Sequence, residues 1–483
     1  MLLSELQQYI KCQKIYNFSN RKVHFNFLSS NSINIKNKSI LIVNNKNKFR
    51  KQYIYDAIEK GAIAIITNYY YKEIKIPQFV VKDIDKTTNI ILRKLKKYSP
   101  KYSAGITGTN GKSSVVWNIN QIAHYSSRNI NSYGTLGFYK NLKKVENSFL
   151  TTPEYAILYQ KAFSNKKNLN DFVFEVSSHS ISKKRINNFP INIAALTNIT
   201  QDHLDFHKTL KNYINTKIKL FTKHLSKDGI AIINEKIKYI SKIKKELINK
   251  NIKTIFYGLK NSDINIYTNK KKSFIKIYKK KYPINIKKFH SFEIENLCCA
   301  IGCCLAMNIK VNQILKTIGK ITKPPGRFEI IEDSKNKLKI IIDYAHTPDA
   351  LKNIILANTF KNKKPNILFG CGGNRDKSKR KKMGVICNKF AKKIYVTDDN
   401  PRNEVAQKIR KSIIKGCPKA IEISGRRNAI KVAINDLNYN EILIIAGKGH
   451  EYKQIIGNKC LNFNDKKIAK YYLNKKLKNE KYN

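Results

Sequence analysis

A glycine-rich segment, residues 105–114 (GITGTNGKSS), restricts the fold of this chain more than any other part of it. It lies between a predicted strand and a predicted helix. In such a loop the glycines let backbone N–H groups turn toward phosphate oxygens, and the dipole of the following helix adds to the attraction. Lys112 would reach the β- and γ-phosphates, and Ser113 would bind Mg²⁺. The segment therefore predicts a nucleotide phosphate site in an α/β domain.

Strands alternate with helices after this loop, which favours a parallel sheet with crossover helices. The predicted strands of this block are residues 172–176, 193–197 and 229–234, with a helix over 210–223. Period-two patterns over residues 251–286 predict hairpins. A second alternating block follows Pro324-Pro325-Gly326, with predicted strands at residues 338–343, 366–370, 393–397 and 441–446. The Lys-rich tail from Lys466 is interpreted as a frayed helix.

The chain is long enough for three domains, because domains average about 150 residues and the chain has 483. Each is expected to bury its own core. The predicted class is α/β with three parts. These are a small N-terminal α/β domain (residues 1–98), a central P-loop ATPase domain with a parallel sheet (99–325) and a C-terminal Rossmann-like domain (326–483).

The charge of the chain is strongly positive, with 94 Lys and Arg against 33 Asp and Glu and a net charge of +61. Such an excess raises the hypothesis of a nucleic-acid partner. However, the excess is mostly Lys, spread from end to end and mixed with Asn and Ile, as AT-rich codons would produce. We therefore interpret it as a compositional bias on a solvated surface. A positive surface still favours an anionic substrate.

Composition also bears on location. The hydrophobic fraction of 42% excludes a disordered chain, and no apolar run approaches the roughly 18 residues of a membrane span. Residues 1–14 are too polar for a signal peptide, so a cytoplasmic protein is expected. Four of the nine cysteines form a CCxxxCC pattern at residues 298–304, where small apolar neighbours predict a helix interior and core packing rather than a metal site.

Polar residues follow the predicted strands of both blocks. Glu175 ends one strand, where a carboxylate could bind Mg²⁺ or merely be solvated. Four Gly- or Pro-marked loops follow the strands of the second block, and in a parallel sheet such loops converge on one crevice. Arg375 and Arg402 suit a carboxylate, whereas Asn400 and Glu451 suit an ammonium.

Together these motifs resemble one family, the Mur ligases, which are ATP-dependent amide-forming enzymes of peptidoglycan precursor synthesis. The resemblance covers nearly the whole chain and rests on GTNGK, EVSSH, the TN…DHLD…H loop, PPGRFE, DYAHTPDAL, GCGGxRD, DNPR and GKGHE. The chain is most similar to members that add the third amino acid to UDP-N-acetylmuramoyl-L-alanyl-D-glutamate. The DNPR form resembles the enzymes specific for meso-2,6-diaminopimelate, because Arg402 can pair with a second carboxylate that lysine lacks.

The resemblance implies a role for each matching residue. ATP would be bound by Gly108, Thr109, Asn110, Gly111, Lys112, Ser113, Ser114, Asn296 and Arg327. Mg²⁺ would be bound by Ser113, Glu175, His203 and Lys217, with Lys217 carbamylated to N6-carboxylysine. The catalytic residues would be Lys112, Lys217 and His203. The reaction would pass through an acyl phosphate, and closure of the last domain would bring the amine to it.

The two remaining substrates would each have their own set of residues. The UDP-muramoyl dipeptide would be bound by Leu28, Ser30, Thr151, Thr152, Ser177, Lys183 and Arg185. Diaminopimelate would be bound by Arg375, Asp399, Asn400, Pro401, Arg402, Gly447 and Glu451. The first domain departs most from the family pattern. It has Ser29-Ser30-Asn31 for Asp-Ser-Arg, and its loop at residues 44–48 is rich in Asn and Lys.

Three alternatives stay open. The L-lysine-adding variant shares the reaction but not the second carboxylate. A folylpolyglutamate synthase-like ligase shares the phosphate loop but gives no reason for DNPR together with GKGHE. A nucleic-acid-binding ATPase would explain the charge, although we find no helicase-like motif set or RNA module in the sequence. A monomer without a membrane partner is expected.

Overall fold

The computed structural model describes residues 1–19, 22–45, 51–96, 98–163, 170–269, 272–286, 289–333, 338–361 and 363–479. Within these ranges the chain forms three main sheets, and the α/β class predicted from the sequence is confirmed. No helix in the described part of the chain is long and apolar enough to span a membrane.

The N-terminal sheet has five strands in the order β1-β5-β4-β3-β2. Its strands are β1 (Cys12–Tyr16), β2 (Phe27–Ser29), β3 (Ser39–Val43), β4 (Ala62–Thr67) and β5 (Gln78–Val81). Its helices are α1 (Leu6–Tyr9), α2 (Gln52–Glu59) and α3 (Ile84–Leu95). Strands β2 to β5 are parallel, and β3 is buried along its whole length, as its apolar sequence SILIV requires.

The central sheet has eleven strands in the order β16-β15-β14-β13-β12-β11-β6-β10-β7-β8-β9. Its strands are β6 (Ser103–Thr107), β7 (Ile130–Gly134), β8 (Gly137–Lys140), β9 (Lys143–Glu146), β10 (Asp171–Glu175), β11 (Ile191–Leu196), β12 (Leu225–Asn234), β13 (Lys253–Tyr257), β14 (Ile264–Asn269), β15 (Lys272–Ile277) and β16 (Lys280–Ile284). Its helices are α4 (Lys112–Tyr125), α5 (Tyr155–Ala162), α6 (Ser178–Ser182), α7 (Leu204–His207), α8 (Leu210–Lys219), α9 (Ile240–Asn249), α10 (Ser291–Ala306) and α11 (Val311–Ile318). The six strands from β7 to β13 in the sheet order run parallel.

The C-terminal sheet has six strands in the order β17-β18-β22-β19-β20-β21. Its strands are β17 (Glu329–Asp333), β18 (Leu338–Asp343), β19 (Asn366–Phe369), β20 (Ile394–Val396), β21 (Ile421–Glu422) and β22 (Ile442–Ala446), and a separate hairpin pairs β23 (Lys453–Ile456) with β24 (Lys459–Asn462). Its helices are α12 (Pro348–Ala357), α13 (Lys379–Phe390), α14 (Ala406–Ile414), α15 (Arg426–Asn435) and α16 (Asp465–Asn479). Strands β18 to β22 are parallel, whereas β17 is antiparallel.

The packing differs from the sequence prediction in three ways. Strand β13 pairs parallel with β12, so hairpins begin only at β14. Helix α16 is not frayed, because Ile468, Ala469 and Leu473 pack into a core against the C-terminal sheet. The first domain does not bury a wholly separate core, since Leu28 and Phe174 belong to one continuous apolar cluster. The predicted domain limits at residues 98 and 325 stay predictions.

The cysteine prediction is confirmed. Cys298, Cys299, Cys303 and Cys304 lie inside α10 with exposures of 1% or less. Burial raises the pKa of Cys298 to about 12, so the thiol stays protonated. Packing therefore accounts for these residues.

Candidate active site

The phosphate-binding loop connects β6 to α4 and depends on two glycines. Gly108 has φ +150°, and a Cβ at this position would lie 1.8 Å from Thr197 Oγ1. Gly111, the N-cap of α4, has φ +85°, and a Cβ would lie 2.3 Å from Asn296 Oδ1. A side chain at either position would clash with these neighbours and strain the backbone. The strand–loop–helix arrangement predicted from the sequence is confirmed.

Neighbouring polar groups hold the loop open. The Asn110 N–H donates to Asn198 Oδ1 at 2.9 Å, and Thr197 Oγ1 donates to the Asn110 carbonyl at 2.6 Å. Thr109 Oγ1 lies 3.0 Å from the hydroxyl of Tyr213. The Thr197-Asn198 pair after β11 therefore serves as the scaffold of the loop, a role that sequence reasoning did not assign.

Two lysines converge on one carbonyl of this loop. Lys112 Nζ donates to the carbonyl oxygens of Gly108 and Thr109, both at 2.9 Å. Lys217 Nζ, carried by α8, donates to the same Gly108 oxygen at 2.9 Å and lies 4.6 Å from the ring centroid of Tyr213. Burial lowers the pKa of both amines, and the charge of Lys112 lowers the pKa of Lys217 further. This crowding favours a neutral, nucleophilic amine at Lys217.

Glu175 ends β10 and is 1% exposed. Its Oε1 accepts a hydrogen bond from the Thr135 N–H at 2.8 Å, and its Oε2 accepts one from Thr135 Oγ1 at 3.1 Å. Within the described residues it forms no ion pair of 4 Å or less. The close approach requires Gly134, because a Cβ there would lie 2.2 Å from Oε1. Neither Thr135 nor Gly134 was identified from the sequence.

The loop after β11 brings His203 to a buried carboxylate. His203 Nε2 lies 3.3 Å from Asp202 Oδ2, and Lys379 Nζ lies 3.2 Å from Asp202 Oδ1. His346 Nε2 is 3.8 Å from the same carboxylate. Burial lowers the pKa of His203 to about 3 despite Asp202, so the imidazole is neutral at pH 7 and available as a ligand. Lys379 and His346 come from the C-terminal domain, so this cluster joins two domains.

These residues fit a magnesium ion that arrives with a nucleotide. Mg²⁺ is usually held by one or two carboxylates together with substrate phosphates, rather than by a cage of protein ligands. Glu175 supplies a buried carboxylate that pairs with no cation at 4 Å or less within the described residues. In the part of the chain described here, no three His, Cys, Asp or Glu residues are grouped to hold a metal by themselves. The unmodified amine of Lys217 is a poor ligand for Mg²⁺, which prefers oxygen donors.

A cavity of about 360 Å³ lies beside the phosphate-binding loop. Its walls include Asn110, Gly111, Ser114, Asn296, Arg327 and Phe292. Arg327 donates through Nη2 to Ser113 Oγ at 3.2 Å, and its guanidinium lies 4.2 Å from the ring centroid of Tyr344. The Arg327 Nε is buried without a hydrogen-bond acceptor, so this group has spare donor capacity. The cavity is therefore lined by five of the predicted ATP-binding residues, namely Asn110, Gly111, Ser114, Asn296 and Arg327.

Most residues predicted to bind the muramoyl dipeptide lie together beside Glu175. Thr152 Oγ1 donates to the Glu175 carbonyl at 2.8 Å and accepts from the Ser177 N–H at 3.0 Å. Arg185 Nη1 donates to the Thr152 carbonyl at 3.2 Å, and its Nη2 pairs with Glu154 at 3.2 Å. Glu154 was not identified from the sequence.

The remaining residues of this set are placed differently. Thr151 Oγ1 lies 3.3 Å from Thr135 Oγ1, which adds it to the cluster around Glu175. Lys183 and Ser30 are exposed. Leu28 has a buried side chain, and its N–H and carbonyl both bond to Gln160, at 3.0 and 2.8 Å. Its predicted substrate contact stays a prediction, and residues 46–48 of the adjoining loop lie outside the described residues.

The loops that follow β18, β19, β20 and β22 converge, as predicted for parallel strands. A Cβ at Gly373 would lie 1.8 Å from the Pro401 carbonyl oxygen, and one at Gly372 would lie 2.8 Å from Arg402 Nη1. Arg402 has φ +53° and donates through Nη1 to the Gly373 carbonyl at 2.9 Å. Burial and the neighbouring charge of Arg375 lower the pKa of Arg402. The two guanidinium groups together form a cationic pocket suited to a carboxylate.

Asp399 provides a negative group in the same place. Its carboxylate is 8% exposed and forms no hydrogen bond or ion pair within the described residues. A Cβ at Gly447 would lie 2.7 Å from Asp399 Oδ2, so the glycine leaves this oxygen accessible. A free carboxylate beside two arginines can accept an ammonium group.

Asn400 and Glu451, which the sequence suggests for binding an ammonium, are hydrogen-bonded to each other and to Lys448, and Glu451 Oε1 has no hydrogen-bond partner within the described residues. Asn400 Nδ2 donates to Glu451 Oε2 at 3.0 Å. Lys448 Nζ donates to Asn400 Oδ1 at 3.0 Å and to Glu451 Oε2 at 2.9 Å. Lys448 lies inside the GKGHE motif, but only the three-dimensional structure shows that its ammonium occupies this position.

Two family models match the chain. The Mur ligase middle domain matches residues 106–304, and the glutamate ligase domain of Mur ligases matches residues 326–449. A relative from Rickettsia bellii named UDP-N-acetylmuramoyl-L-alanyl-D-glutamate–2,6-diaminopimelate ligase is 39% identical over 468 residues, which cover 92% of this chain and 94% of the relative. A relative of the same name from Buchnera aphidicola subsp. Schizaphis graminum is 35% identical and covers 94% of this chain and 96% of its own.

Solved structures share the fold. A structure of UDP-N-acetylmuramoyl-L-alanyl-D-glutamate–2,6-diaminopimelate ligase superposes with a TM-score of 0.61 at 24% identity and covers 99% of both chains. MurF ligase from Thermotoga maritima, solved in complex with ADP, gives a TM-score of 0.65 at 15% identity and covers 95% of this chain and 100% of its own. At these identities the likeness concerns the fold.

Proposed function

The chain belongs to the Mur ligase family, and on that premise we propose that it is an ATP-dependent ligase of peptidoglycan precursor synthesis. It joins meso-2,6-diaminopimelate to the γ-carboxylate of D-glutamate in UDP-N-acetylmuramoyl-L-alanyl-D-glutamate. The observation that carries this proposal is the meeting of the phosphate-binding loop with the C-terminal domain. Arg327 bonds to Ser113, and Asn110 bonds to Thr347 at 3.3 Å.

ATP occupies the cavity beside the loop, with its phosphates against Gly108, Thr109, Asn110, Gly111, Ser113 and Ser114. The amide of Asn296 and the guanidinium of Arg327 face the same cavity and bind the rest of the nucleotide. Lys112 exchanges its two backbone acceptors for phosphate oxygens, because an ammonium pairs more strongly with an anion than with a carbonyl. These donors are oriented by the loop before ATP binds, which reduces the reorganisation needed during reaction.

The reaction has two steps. The γ-carboxylate attacks the γ-phosphorus in line, which breaks the bond to ADP and forms an acyl phosphate. The neutral amine of the incoming amino acid then attacks the acyl carbon, and the tetrahedral intermediate expels inorganic phosphate to leave an amide. Lys112 stabilises the charge on the transferred phosphoryl group. The amine loses a proton in the second step, and this proton passes to the departing phosphate or to solvent.

Mg²⁺ would be held by Ser113, Glu175, His203 and a carbamylated Lys217, and would neutralise charge on the phosphates. Carbamylation adds CO₂ to the neutral lysine amine with loss of one proton, which converts a neutral amine into an anionic oxygen donor. The low pKa of the Lys217 amine supports this modification.

The two substrates are bound by different sets of residues. The cluster of Thr151, Thr152, Ser177 and Arg185 binds the muramoyl dipeptide, with Leu28, Ser30 and Lys183 nearer its uridine end. The free end of diaminopimelate lies between Arg375, Arg402 and Asp399, against the backbone of Pro401 and Gly447, with Asn400 and Glu451 as the pocket wall. Closing this site brings amine and acyl phosphate within reaction distance, about 3–3.5 Å.

The test is phosphate release from ATP in the presence of UDP-N-acetylmuramoyl-L-alanyl-D-glutamate. Release that depends on meso-diaminopimelate and not on L-lysine supports the proposal. A preference for L-lysine would keep the ligase and refute the amino-acid assignment. Release with a folate substrate and glutamate, but not with the muramoyl dipeptide, would favour the folylpolyglutamate synthase-like alternative. Stimulation of phosphate release by nucleic acid alone would favour the nucleic-acid-binding ATPase.

A further inference from the structure

Lys448 carries a fully buried ammonium group in the wall of the amino-acid pocket. Its exposed fraction is 0%. Its Nζ donates three hydrogen bonds: to Asn400 Oδ1 at 3.0 Å, to Glu451 Oε2 at 2.9 Å and to the Lys453 carbonyl at 2.7 Å. An ammonium has three donors, so all of them are used. A buried charge is normally tolerated only when it is paired and bonded in this way.

The three bonds fix the orientation of two neighbours. Asn400 Oδ1 also accepts from the Ile455 N–H at 3.0 Å, so the amide oxygen faces two donors and Nδ2 must face Glu451 Oε2. Glu451 Oε2 therefore receives both Asn400 Nδ2 and Lys448 Nζ. No hydrogen bond within the described residues reaches Glu451 Oε1, which is left for a ligand. One side chain thus sets the positions of two proposed substrate-binding groups.

Lys448 also changes the charge of the pocket. Among the described residues assigned to this site, three cations (Arg375, Arg402, Lys448) stand against two carboxylates (Asp399, Glu451), an excess of one positive charge. The nearby Arg426 is neutralised by its ion pair with Asp465. The free end of diaminopimelate carries both an ammonium and a carboxylate, so it has no net charge and this excess does not repel it. The side chain of L-lysine carries an ammonium alone and adds a like charge. Without Lys448 the pocket would be neutral, and the penalty against L-lysine would decrease.

We propose that Lys448 is a positioning residue that determines specificity, because its buried ammonium orders Asn400 and Glu451 and excludes amino acids with a purely cationic side chain. This inference rests on the proposed function. It assigns to Lys448 a role that acts through its neighbours, since its own donors are all occupied.

The experiment compares Lys448→Met with Lys448→Arg and with Lys459→Met, a matched exposed lysine on the nearby strand β24. Initial rates of phosphate release are measured against meso-diaminopimelate and against L-lysine. In Lys448→Met we expect kcat/KM for diaminopimelate to fall about tenfold to a hundredfold, the range for a lost charged hydrogen bond. The ratio of kcat/KM between the two amino acids should fall by about tenfold, with KM for ATP and for the muramoyl dipeptide unchanged.

Lys448→Arg retains the charge and should keep the preference for diaminopimelate, and Lys459→Met should behave as the wild type. If Lys448→Met loses its thermal unfolding transition, Lys448→Gln replaces it in the same comparison. An unchanged amino-acid ratio in the neutral variants, or an equal loss with both amino acids, would overturn the inference. A wild-type protein without diaminopimelate-dependent release would instead refute the proposed function, so the two failures are distinguishable.

Discussion

The side-chain amine of Lys217 and the side-chain amine of Lys112 share one acceptor, the carbonyl oxygen of Gly108, each at 2.9 Å. Two ammonium groups this close repel each other, and Lys217 is buried whereas Lys112 is half-buried. The repulsion is relieved if one of the two amines is neutral. Burial and the charge of Lys112 lower the pKa of Lys217 well below its usual value, which favours Lys217 as the neutral amine. Carbamylation requires a neutral amine, and Lys217 places such an amine beside the phosphate site.

Replacing Lys217 by Ala should therefore remove a negative charge from the active enzyme. We expect kcat to fall about a hundredfold or more, as for loss of an electrostatic group at a reacting phosphate. A small carboxylate such as acetate should restore part of the rate, because it can occupy the space of the carbamate. Lys219→Ala, at an exposed position of the same helix, is the matched control. Steady-state phosphate release measures kcat. Full activity of Lys217→Ala would contradict a catalytic role for a carbamylated Lys217.

Arg402 should decide between amino acids with and without a second carboxylate. Arg402→Ala is expected to lower kcat/KM for meso-diaminopimelate by about a hundredfold, because a bidentate arginine–carboxylate pair is lost. The rate with L-lysine should change little. Arg402→Lys keeps the charge without the planar fork and should give an intermediate value. Equal losses with both amino acids in Arg402→Ala would show that Arg402 supports the loop rather than the substrate.

The ion pair between Arg426 and Asp465 joins helix α16 to helix α15, and we expect its loss to destabilise the C-terminal domain. Arg426 Nε and Nη2 donate to the two carboxylate oxygens of Asp465 at 2.8 and 2.7 Å, and both side chains are fully buried. Arg426 Nη2 also donates to the Ala446 carbonyl at 2.9 Å, directly before the GKGHE loop. Removing one partner of a buried pair costs about 3–5 kcal/mol, so Asp465→Ala should lower the thermal unfolding temperature of the C-terminal domain by several degrees.

The control for this prediction replaces both partners. Arg426→Met combined with Asp465→Leu leaves no unpaired buried charge and should recover much of the lost stability. Differential scanning calorimetry separates the C-terminal transition from the others. An unfolding temperature for Asp465→Ala equal to that of the wild type would show that α16 is held by its apolar residues alone.

Stability should fall on acidification below pH 6.5 because of buried histidines. His207 is 6% exposed, its Nε2 has no hydrogen-bond partner, and burial lowers its pKa from 6.5 to about 4. The unfolded chain therefore binds the proton first, and the contribution to stability is full above pH 6.5 and lost as the pH falls toward 4. Between pH 6.5 and 5.5 this one residue should lower the free energy of unfolding by about 1 kcal/mol.

Urea denaturation at these two pH values, for the wild type and for His207→Asn, measures the contribution of His207. The variant should show a smaller pH dependence by about 1 kcal/mol, because it no longer titrates in this range. A pH dependence identical in the two proteins would contradict a buried, neutral His207.

The sequence predicted those features that depend on local chemistry. Gly108, Gly111 and Lys112 could be assigned because a phosphate loop needs positive φ and inward N–H groups at fixed spacing. Buried parallel strands such as β3 could be assigned from continuous apolar runs. The convergence of the C-terminal loops followed from strand direction alone.

Features that depend on distant parts of the chain could not be predicted in this way. Thr135 lies 40 residues before Glu175, and no spacing rule connects a threonine N–H to that carboxylate. The stabilising contacts of α16 could not be predicted from its sequence, because lysines outnumber the few apolar residues that pack into the core. Lys448 belongs to a motif that the sequence shows, but the hydrogen bond from its ammonium to Asn400 depends on the folded structure.

The proposed reaction requires that ATP activates the γ-carboxylate of D-glutamate as an acyl phosphate. The most direct measurement uses UDP-N-acetylmuramoyl-L-alanyl-D-glutamate labelled with ¹⁸O in that carboxylate, together with ATP and meso-diaminopimelate. Mass spectrometry should find one ¹⁸O atom in each inorganic phosphate released, alongside the UDP-linked tripeptide, because the carboxylate oxygen that attacks phosphorus leaves with it. Phosphate without ¹⁸O, or phosphate release without tripeptide, would contradict the account.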